Sequence, residues 1–381
     1  NIAAACEGTF VGDRNLVTKE IAGAVTDSRQ IQKDYLFIPI KGARVDGHDF
    51  IPQVFEQGAL VVLSDHALPE ETGPYILVSS TTEAMKKIAA FYRTQLSCKV
   101  VGITGSVGKT STKEMIASVL EQRYKVLKTE GNFNNEIGLP LTIFKIRAKH
   151  EVAVLEMGIS DFGEMHRLAA MARPDIGVIT NIGLCHLENL GTRDGILQAK
   201  TEMFDHLQVD GTVILNGDDD KLSTKKEVNG KPVIFYGVGA DSAFDIKKDI
   251  YATDIENHGL EGMCAKIHTP QGDFDAKIPI PGEHNVYNAL AGTAVGLQLG
   301  LSIREIAQGI ASVQTIAGRT NLLHVKGMTV IDDCYNANPV SMKASIDVLA
   351  HTSGRRIAVL GDMGELGAEE KELHRSIGKA V

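Results

Sequence analysis

The chain has 381 residues, more than a single hydrophobic core organises well, so two or three domains are expected. With 43% hydrophobic and 23% charged residues it has the balance of a globular protein. Its net charge of −9 argues against sequence-independent binding of nucleic acid, which needs a basic face. No apolar run reaches the length of a membrane span, and the five cysteines (Cys6, Cys98, Cys185, Cys264 and Cys334) form no C-x-x-C pair. An odd, scattered set points to a reducing compartment, without a disulfide framework or zinc ribbon. Asn1 to Thr9 show no basic start and no long apolar stretch, so no signal peptide is expected. They also lack an initiator Met, so a few preceding residues are.

Residues from Asn1 to about Ser80 read as a small α/β unit. Strands are expected at Tyr35 to Ile40, Ala59 to Leu63 and Tyr75 to Val78, with a short helix at Phe50 to Gln57 closed by Gly58. Two polar clusters stand out, Thr26-Asp27-Ser28-Arg29 and Lys41-Gly42 followed by Asp46-Gly47-His48-Asp49-Phe50. Both have turn composition, and both also suit a small-molecule cradle in which Ser28 and Arg29 offer donors to phosphate.

A helix over Glu83 to Leu96 leads into Val100 to Thr112, V-V-G-I-T-G-S-V-G-K-T-S-T: an apolar strand, a glycine turn and a helix start. Gly105 and Gly108 let the backbone curl so that N–H groups converge, and the helix end adds its positive pole. Within Gly105, Ser106, Val107, Gly108, Lys109, Thr110 and Ser111, Lys109 supplies a charge for outer phosphates and Thr110 a hydroxyl for Mg²⁺. The spacing is a shortened G-x-x-G-K-T-[ST]; the strict motif would put its first glycine at Ile103. A nucleoside triphosphate site is expected here.

Beyond it, strands at Val152 to Glu156, Ile176 to Thr180, Thr212 to Asn216 and Pro232 to Tyr236 alternate with helices. The helices are expected at Ser111 to Gln122, Gly163 to Met171, Arg193 to Leu207 and Val286 to Leu299. Such alternation means a mostly parallel sheet covered on both faces. Between Phe244 and Ile280 the period changes to two, with a turn at Pro270 to Gly272, as in an antiparallel edge hairpin. A third part starts near Gly318. It has strands at Met328 to Ile331 and Ile357 to Leu360, a helix capped by Asn338 with Pro339 at its first position, and a charged helix from Glu369. Two strands are thin for an open α/β domain, so further chain is expected after Val381.

Several side chains suit chemistry. Glu156 ends a strand where open α/β sheets bind ligands, placed either to hold Mg²⁺ or to cap the next turn. His186 follows another strand end, near Asn181. Lys200 lies on the apolar side of a helix with Ile196, Leu197, Met203 and Phe204. It either snorkels or pairs with Glu202, or it is buried, neutral and able to take up CO₂ as a carbamate. Asn132, Asn134 and Asn135 form either a turn after a helix or a polar substrate wall. His284-Asn285 offers a flat ring and an amide to a purine, Arg319 a cation to phosphates, and Asp333 a carboxylate to ribose or adenine.

Taken together, these stretches resemble the Mur ligases, ATP-dependent amide-bond-forming enzymes of peptidoglycan synthesis, along essentially the whole chain. T-G-S-V-G-K-T-S-T resembles the family's phosphate loop, T-D-S-R with D-G-H-D-F its UDP-binding N-terminal domain, and G-E-H-N-V-Y-N-A-L its adenine-side motif. E-G-N-F-N-N-E-I-G-L-P-L-T, D-D-C-Y-N-A-N-P-V-S-M and L-G-D-M-G-E-L-G are similar to the member that joins D-alanyl-D-alanine to UDP-N-acetylmuramoyl-tripeptide. The sister that adds the third amino acid would show a Y-A-H-T-P-like motif where this chain has Tyr335-Asn336-Ala337-Asn338-Pro339.

The resemblance implies a three-domain α/β architecture. A small N-terminal α/β domain would span 1–81, a central P-loop parallel-sheet ATPase domain 82–316, and a Rossmann-like C-terminal domain, incomplete here, 317–381. It implies Lys109 and Thr110 on phosphates and Mg²⁺, Glu156 and His186 as metal ligands, and Lys200 as a carbamylated lysine. Asn285 and His284 would meet the adenine, with Arg319 and Asp333 closing over ATP. Thr26, Ser28, Arg29, Lys41, Asp46, Gly47, His48, Asn132, Asn134, Asn135, Asn336 and Asn338 would line the peptide-nucleotide and dipeptide sites. A cytoplasmic bacterial monomer is expected. The alternatives are another ligase of this fold, such as one extending folate with glutamate, a P-loop ATPase without ligation, or a protein that only binds ATP. T-D-S-R and D-G-H-D-F favour UDP over folate.

Overall fold

The structure is a computed structural model that describes residues 1–381, the side chain of Ala368 excepted. It divides into two compact units: residues 1–97 with 129–148 and 170–172, and the remainder.

The smaller unit is built on five short strands, β1 (Thr9–Val11), β2 (Gly23–Val25), β3 (Tyr35–Phe37), β4 (Val61–Ser64) and β5 (Tyr75–Leu77). Their order is β1-β5-β4-β3-β2; β2 to β5 run parallel and β1 closes the edge antiparallel. Phe37, Ile51, Val54, Val62 and Tyr75 form its core. The helix Thr81–Thr94 starts where Ser80 accepts from Glu83 N–H, and it buries Ala84, Met85, Ile88 and Ala89, an i, i+1, i+4, i+5 stripe. The strands are shorter than their apolar runs. Ile38 and Ile40, for example, lie beyond the end of β3 although Ile38 is fully buried.

The larger unit holds a nine-stranded sheet. Its strands are β6 (Lys99–Thr104), β7 (Val126–Lys128), β8 (Val152–Glu156), β9 (Ile176–Ile179) and β10 (Thr212–Asn216), then, after a small hairpin of β11 (Glu227–Val228) and β12 (Lys231–Pro232), β13 (Ile234–Val238), β14 (Ile250–Asn257), β15 (Met263–Thr269) and β16 (Gly272–Ile278). The order is β16-β15-β14-β13-β10-β9-β6-β8-β7. Every pairing from β7 to β14 is parallel, and β14 to β16 are antiparallel. The central strands are buried on both faces, which is why they read as unbroken apolar runs, whereas β16 alternates. The helices Lys109–Leu120, His284–Gln298 and Ile303–Ala311 cover one face. They pack closely because Gly292 and Gly296 bring no side chain against Met115 and Val119.

Four expectations change. The strand placed at Pro232 starts at Ile234, because Pro232 has no N–H for the ladder and is drawn into the β11–β12 hairpin instead. The helix expected to reach Leu207 ends at Thr201 and continues only as a tighter turn to His206. The three asparagines from Asn132 follow a strand, β7, rather than a helix. Ile357 to Leu360 is not a strand. Among the described residues the third part offers only the hairpin β17 (Asn321–Val325)–β18 (Met328–Asp332) and the helices Pro339–Ala350 and Glu370–Gly378. Without a neighbouring ladder its apolar side chains stay open, Val359 at 92% exposure.

Candidate active site

β6 delivers the chain to the phosphate loop at the carboxyl edge of the parallel sheet. Gly105 has φ +153° and Gly108 φ +83°, conformations that a Cβ would strain, and a Cβ on Gly105 would also overlap Thr180 Oγ1. The loop is clamped from β9: Thr180 Oγ1 donates to Val107 O (2.7 Å), Asn181 Nδ2 to the same oxygen (3.0 Å), and Val107 N–H to Asn181 Oδ1 (3.0 Å). Ser106 Oγ donates to Gly183 O, and Cys185 Sγ to Ser106 Oγ. Lys109, the first residue of its helix, is folded back with Nζ 2.8 Å from Gly105 O. Burial holds its pKa below the usual lysine value, against the pull of Glu156. Thr110 is buried one residue on, and Ser111 is partly exposed.

Glu156 is the last residue of β8 and is 2% exposed. Lys113, on the phosphate-loop helix and 1% exposed, lies 3.9 Å from Glu156 Oε2 and 3.1 Å from Glu114 Oε1. Lys200 is 1% exposed on the helix Arg193–Thr201 and has no ion-pair partner among the described residues. Glu202 does not pair with it; its carboxylate accepts from the N–H groups of Gly163 and His166. Burial, then the field of Lys109, drops Lys200 to a pKa of about 7. His186 has φ +50° and its Nδ1 lies 2.6 Å from Glu365 Oε2. Its pKa is lowered, first by burial and then by Lys200 and Lys109, against Glu365. The segment carrying it is pinned by Asp219, which accepts from Ile182 N–H, and by Arg193, which donates to Ile182 O and pairs with Asp220. Lys109, Glu156, His186 and Lys200 therefore converge at one end of the sheet.

At the start of the helix His284–Gln298, burial also lowers the pKa of His284. Asn285 is 2% exposed, and its amide is already engaged: Nδ2 donates to Pro281 O, and Oδ1 accepts from Asn288, whose own Oδ1 accepts from Thr112 on the phosphate-loop helix. Arg319 lies 4.3 Å over the Tyr335 ring and within the field of Lys109. Asp333 accepts from Thr320 N–H and Ser345 Oγ. Asn338 Oδ1 caps its helix, accepting from Val340 and Ser341 N–H, while Asn336 is exposed and accepts from Ala337 N–H.

In the smaller unit Ser28 is buried, and Thr26 sits just beyond β2. Arg29 is exposed but forked onto Asp27 (2.7 Å). Lys41 bridges to Asp46, and Asp46 accepts from His48 N–H. A Cβ on Gly47 would meet Ile40 N at 2.7 Å, so only glycine fits this crossing. Asn132 is exposed and Asn134 half-buried, whereas Asn135 Oδ1 accepts from Ile137 and Gly138 N–H where the chain enters the helix Gly138–Ile143. Sequence reading missed Lys113, Thr180, Arg193 and Asp219. Thr180 carried a signal, lying at the end of a strand facing the loop; the others carried none, since the contacts that tie them to the site (Lys113 to Glu156, Arg193 to Asp220, Asp219 to Ile182) join positions 27 or more residues apart.

Three family models match in sequence: Mur ligase family, catalytic domain, over residues 20–93; Mur ligase middle domain over 103–296; and Mur ligase, glutamate ligase domain, over 318–381. The chain is 40% identical over its full length to the UDP-N-acetylmuramoyl-tripeptide–D-alanyl-D-alanine ligase of Bacillus subtilis, covering 82% of it. The chain belongs to the Mur ligase family. The Escherichia coli ligase of the same name is 36% identical over 93% of the chain and 78% of its own length. Among solved Mur ligases, MurF from Acinetobacter baumannii superposes with a TM-score of 0.90 at 34% identity, over 99% of this chain and 81% of that one. MurF from Thermotoga maritima in complex with ADP gives 0.84 at 31%, over 97% and 83%. A Mycobacterium tuberculosis folylpolyglutamate synthase shares the Mur ligase fold at 17% identity.

Proposed function

We propose that this chain is the ATP-dependent ligase that joins D-alanyl-D-alanine to UDP-N-acetylmuramoyl-tripeptide, giving the pentapeptide precursor of peptidoglycan with ADP and phosphate. The observation that carries this is full-length identity of 40% to a relative of that name, combined with an intact phosphate loop at the same sheet end as a buried Glu156 and Lys200 and a half-buried His186. The functional division is 1–81 for the peptide nucleotide, 82–316 for ATP, and 317–381 closing over ATP.

A carboxylate is a poor electrophile in water, so it is first converted to an acyl phosphate by ATP, and the dipeptide amine then displaces phosphate. The protein's part is positioning and charge neutralisation. Lys109 leaves Gly105 O to meet the transferring phosphate, while the loop N–H groups and the helix end hold its neighbours. The donor set fits Mg²⁺: the Thr110 hydroxyl, the Glu156 carboxylate and, more weakly, the His186 imidazole, with Glu365 holding the opposite ring nitrogen. Mg²⁺ bound there would neutralise phosphate charge. Lys200 is buried with a pKa near 7, as carbamate formation requires, and the carbamate would add an anionic oxygen pair to that set. His284 and Asn285 stand on the adenine side, with Arg319 and Asp333 over the nucleotide. Thr26, Ser28, Arg29, Lys41, Asp46, Gly47 and His48 form the UDP cradle, and Asn132, Asn134, Asn135, Asn336 and Asn338 border the peptides. Among the described residues no helix is long and apolar enough to cross a membrane. A cytoplasmic location and a monomeric state belong to this proposal.

The test is phosphate release from ATP and Mg²⁺ with each peptide substrate alone and with both. Release that requires both, with a pentapeptide product by mass, is expected. Release indifferent to the peptides would return the chain to a simple ATPase.

A further inference from the structure

In the smaller unit, His48 meets two residues that sequence reading passed over, Asp65 and His66, at the end of β4. The His48 side chain is only 7% exposed. Its Nδ1 lies 2.6 Å from Asp46 Oδ1. A carboxylate can only accept, so Nδ1 carries the proton and, in the neutral ring, Nε2 presents a lone pair. Nε2 is buried and makes no hydrogen bond; Asp65 Oδ1 lies 3.4 Å from it. The same Asp65 oxygen is 2.7 Å from His66 Nδ1, and the two imidazole rings are 4.9 Å apart. One ligand atom from each of the three residues falls within 4.8 Å of the others.

We propose that His48, Asp65 and His66 form a binding site for a divalent transition metal of the zinc type, with Asp46 as the carboxylate that orients His48. The inference rests on this geometry and not on the ligase reading. Zinc bonds nitrogen and oxygen at about 2.0–2.2 Å, so tetrahedral ligands stand about 3.4 Å apart, the separation already present between His48 and Asp65. Two imidazoles and one carboxylate select zinc, cobalt, nickel or copper over Mg²⁺ and Ca²⁺, which take oxygen. Three protein ligands leave one tetrahedral position for water or a ligand atom. The donors are also preorganised. Ser64, fully buried, accepts from His66 N–H and donates to His66 O, which fixes the Asp65-His66 turn. Asp46 holds both the backbone and the ring of His48. A bound ion would tie the Lys41–Phe50 segment to the end of β4.

Titration of the chelator-treated full chain with Zn²⁺ or Co²⁺, in excess Mg²⁺ to fill oxygen sites, tests this by calorimetry and by cobalt visible absorption. Saturable binding of one ion per chain with a tetrahedral cobalt spectrum is expected. It should be abolished in His66→Ala and in Asp65→Ala, exposed residues whose loss does not threaten the core, and weakened about 10–100-fold in Asp46→Asn, which keeps the turn. His166→Ala, in a separate exposed histidine pair, should bind as the parent does. Absence of one-to-one binding, or binding that survives both His66→Ala and Asp65→Ala, would overturn the proposal and leave His48 as an imidazole bridging two carboxylates.

Discussion

Lys200 is the residue whose chemistry depends most on its surroundings. An ordinary lysine is almost wholly protonated at pH 8, whereas one with a pKa of about 7 is mostly a free amine and can react with CO₂. With ¹³C-bicarbonate, the protein is therefore expected to show a carbamate resonance that disappears in Lys200→Arg, with ligase activity down on the order of 10²-fold or more. The same burial makes stability depend on pH. Between about pH 7 and the unfolded value near 10.5, the unfolded chain binds a proton that the native one does not, so stability rises with pH, by about 1.4 kcal/mol per unit. Below pH 7 both states are protonated and the slope vanishes. In CO₂-free buffer, urea unfolding across this range should show a flatter slope for Lys200→Met; equal slopes would mean that Lys200 stays charged.

Some side chains that the sequence marks as functional also serve their own elements. Asn338 caps its own helix: its Oδ1 takes the N–H groups of Val340 and Ser341 in the first turn of Pro339–Ala350. Asn338→Ala should cost about 1 kcal/mol, and Asn338→Ser should recover both stability and the KM for the dipeptide. If Ser restores folding but not KM, the amide has a role in the peptide site beyond the cap. Gly105→Ala tests the phosphate loop as an element. A Cβ there overlaps Thr180 and strains φ +153°, so ADP binding should fall at least tenfold while circular dichroism stays near that of the parent. At Gly309 a Cβ would overlap Val119 Cα across the packed helices; Gly309→Ala should lose about 1–3 kcal/mol in chemical denaturation, with nucleotide affinity little changed.

The larger unit brings Arg319 into the field of Lys109 and Glu365 onto His186, so the third part of the chain reaches residues at the carboxyl edge of the parallel sheet. An acyl phosphate must be kept from water, which requires this part to close over bound substrates. Small-angle scattering with an ATP analogue and the tripeptide nucleotide should show a smaller radius of gyration than the free protein; an unchanged radius would refute closure.

What the sequence determined by itself is what depends on local order. The phosphate loop needs strand, glycines, lysine, hydroxyl and helix in succession, and it is legible as written. The parallel strands β6, β8, β9 and β10 announce themselves because burial on both faces demands unbroken apolar runs. Tertiary structure alone decided the rest. Whether Lys200 is charged depends on the packing around it, Glu156 meets Lys113 across 43 residues, and Asn181 clamps Val107 across 74. Ile357 to Leu360 has the composition of a strand and forms none, because a strand exists only when a neighbour takes its hydrogen bonds. His48 lay in a cluster of turn composition, and Asp65 and His66 carried no signal of their own. Their lone pair, carboxylate and ring are recognisable as one site only after the fold has set them within a few ångströms of each other.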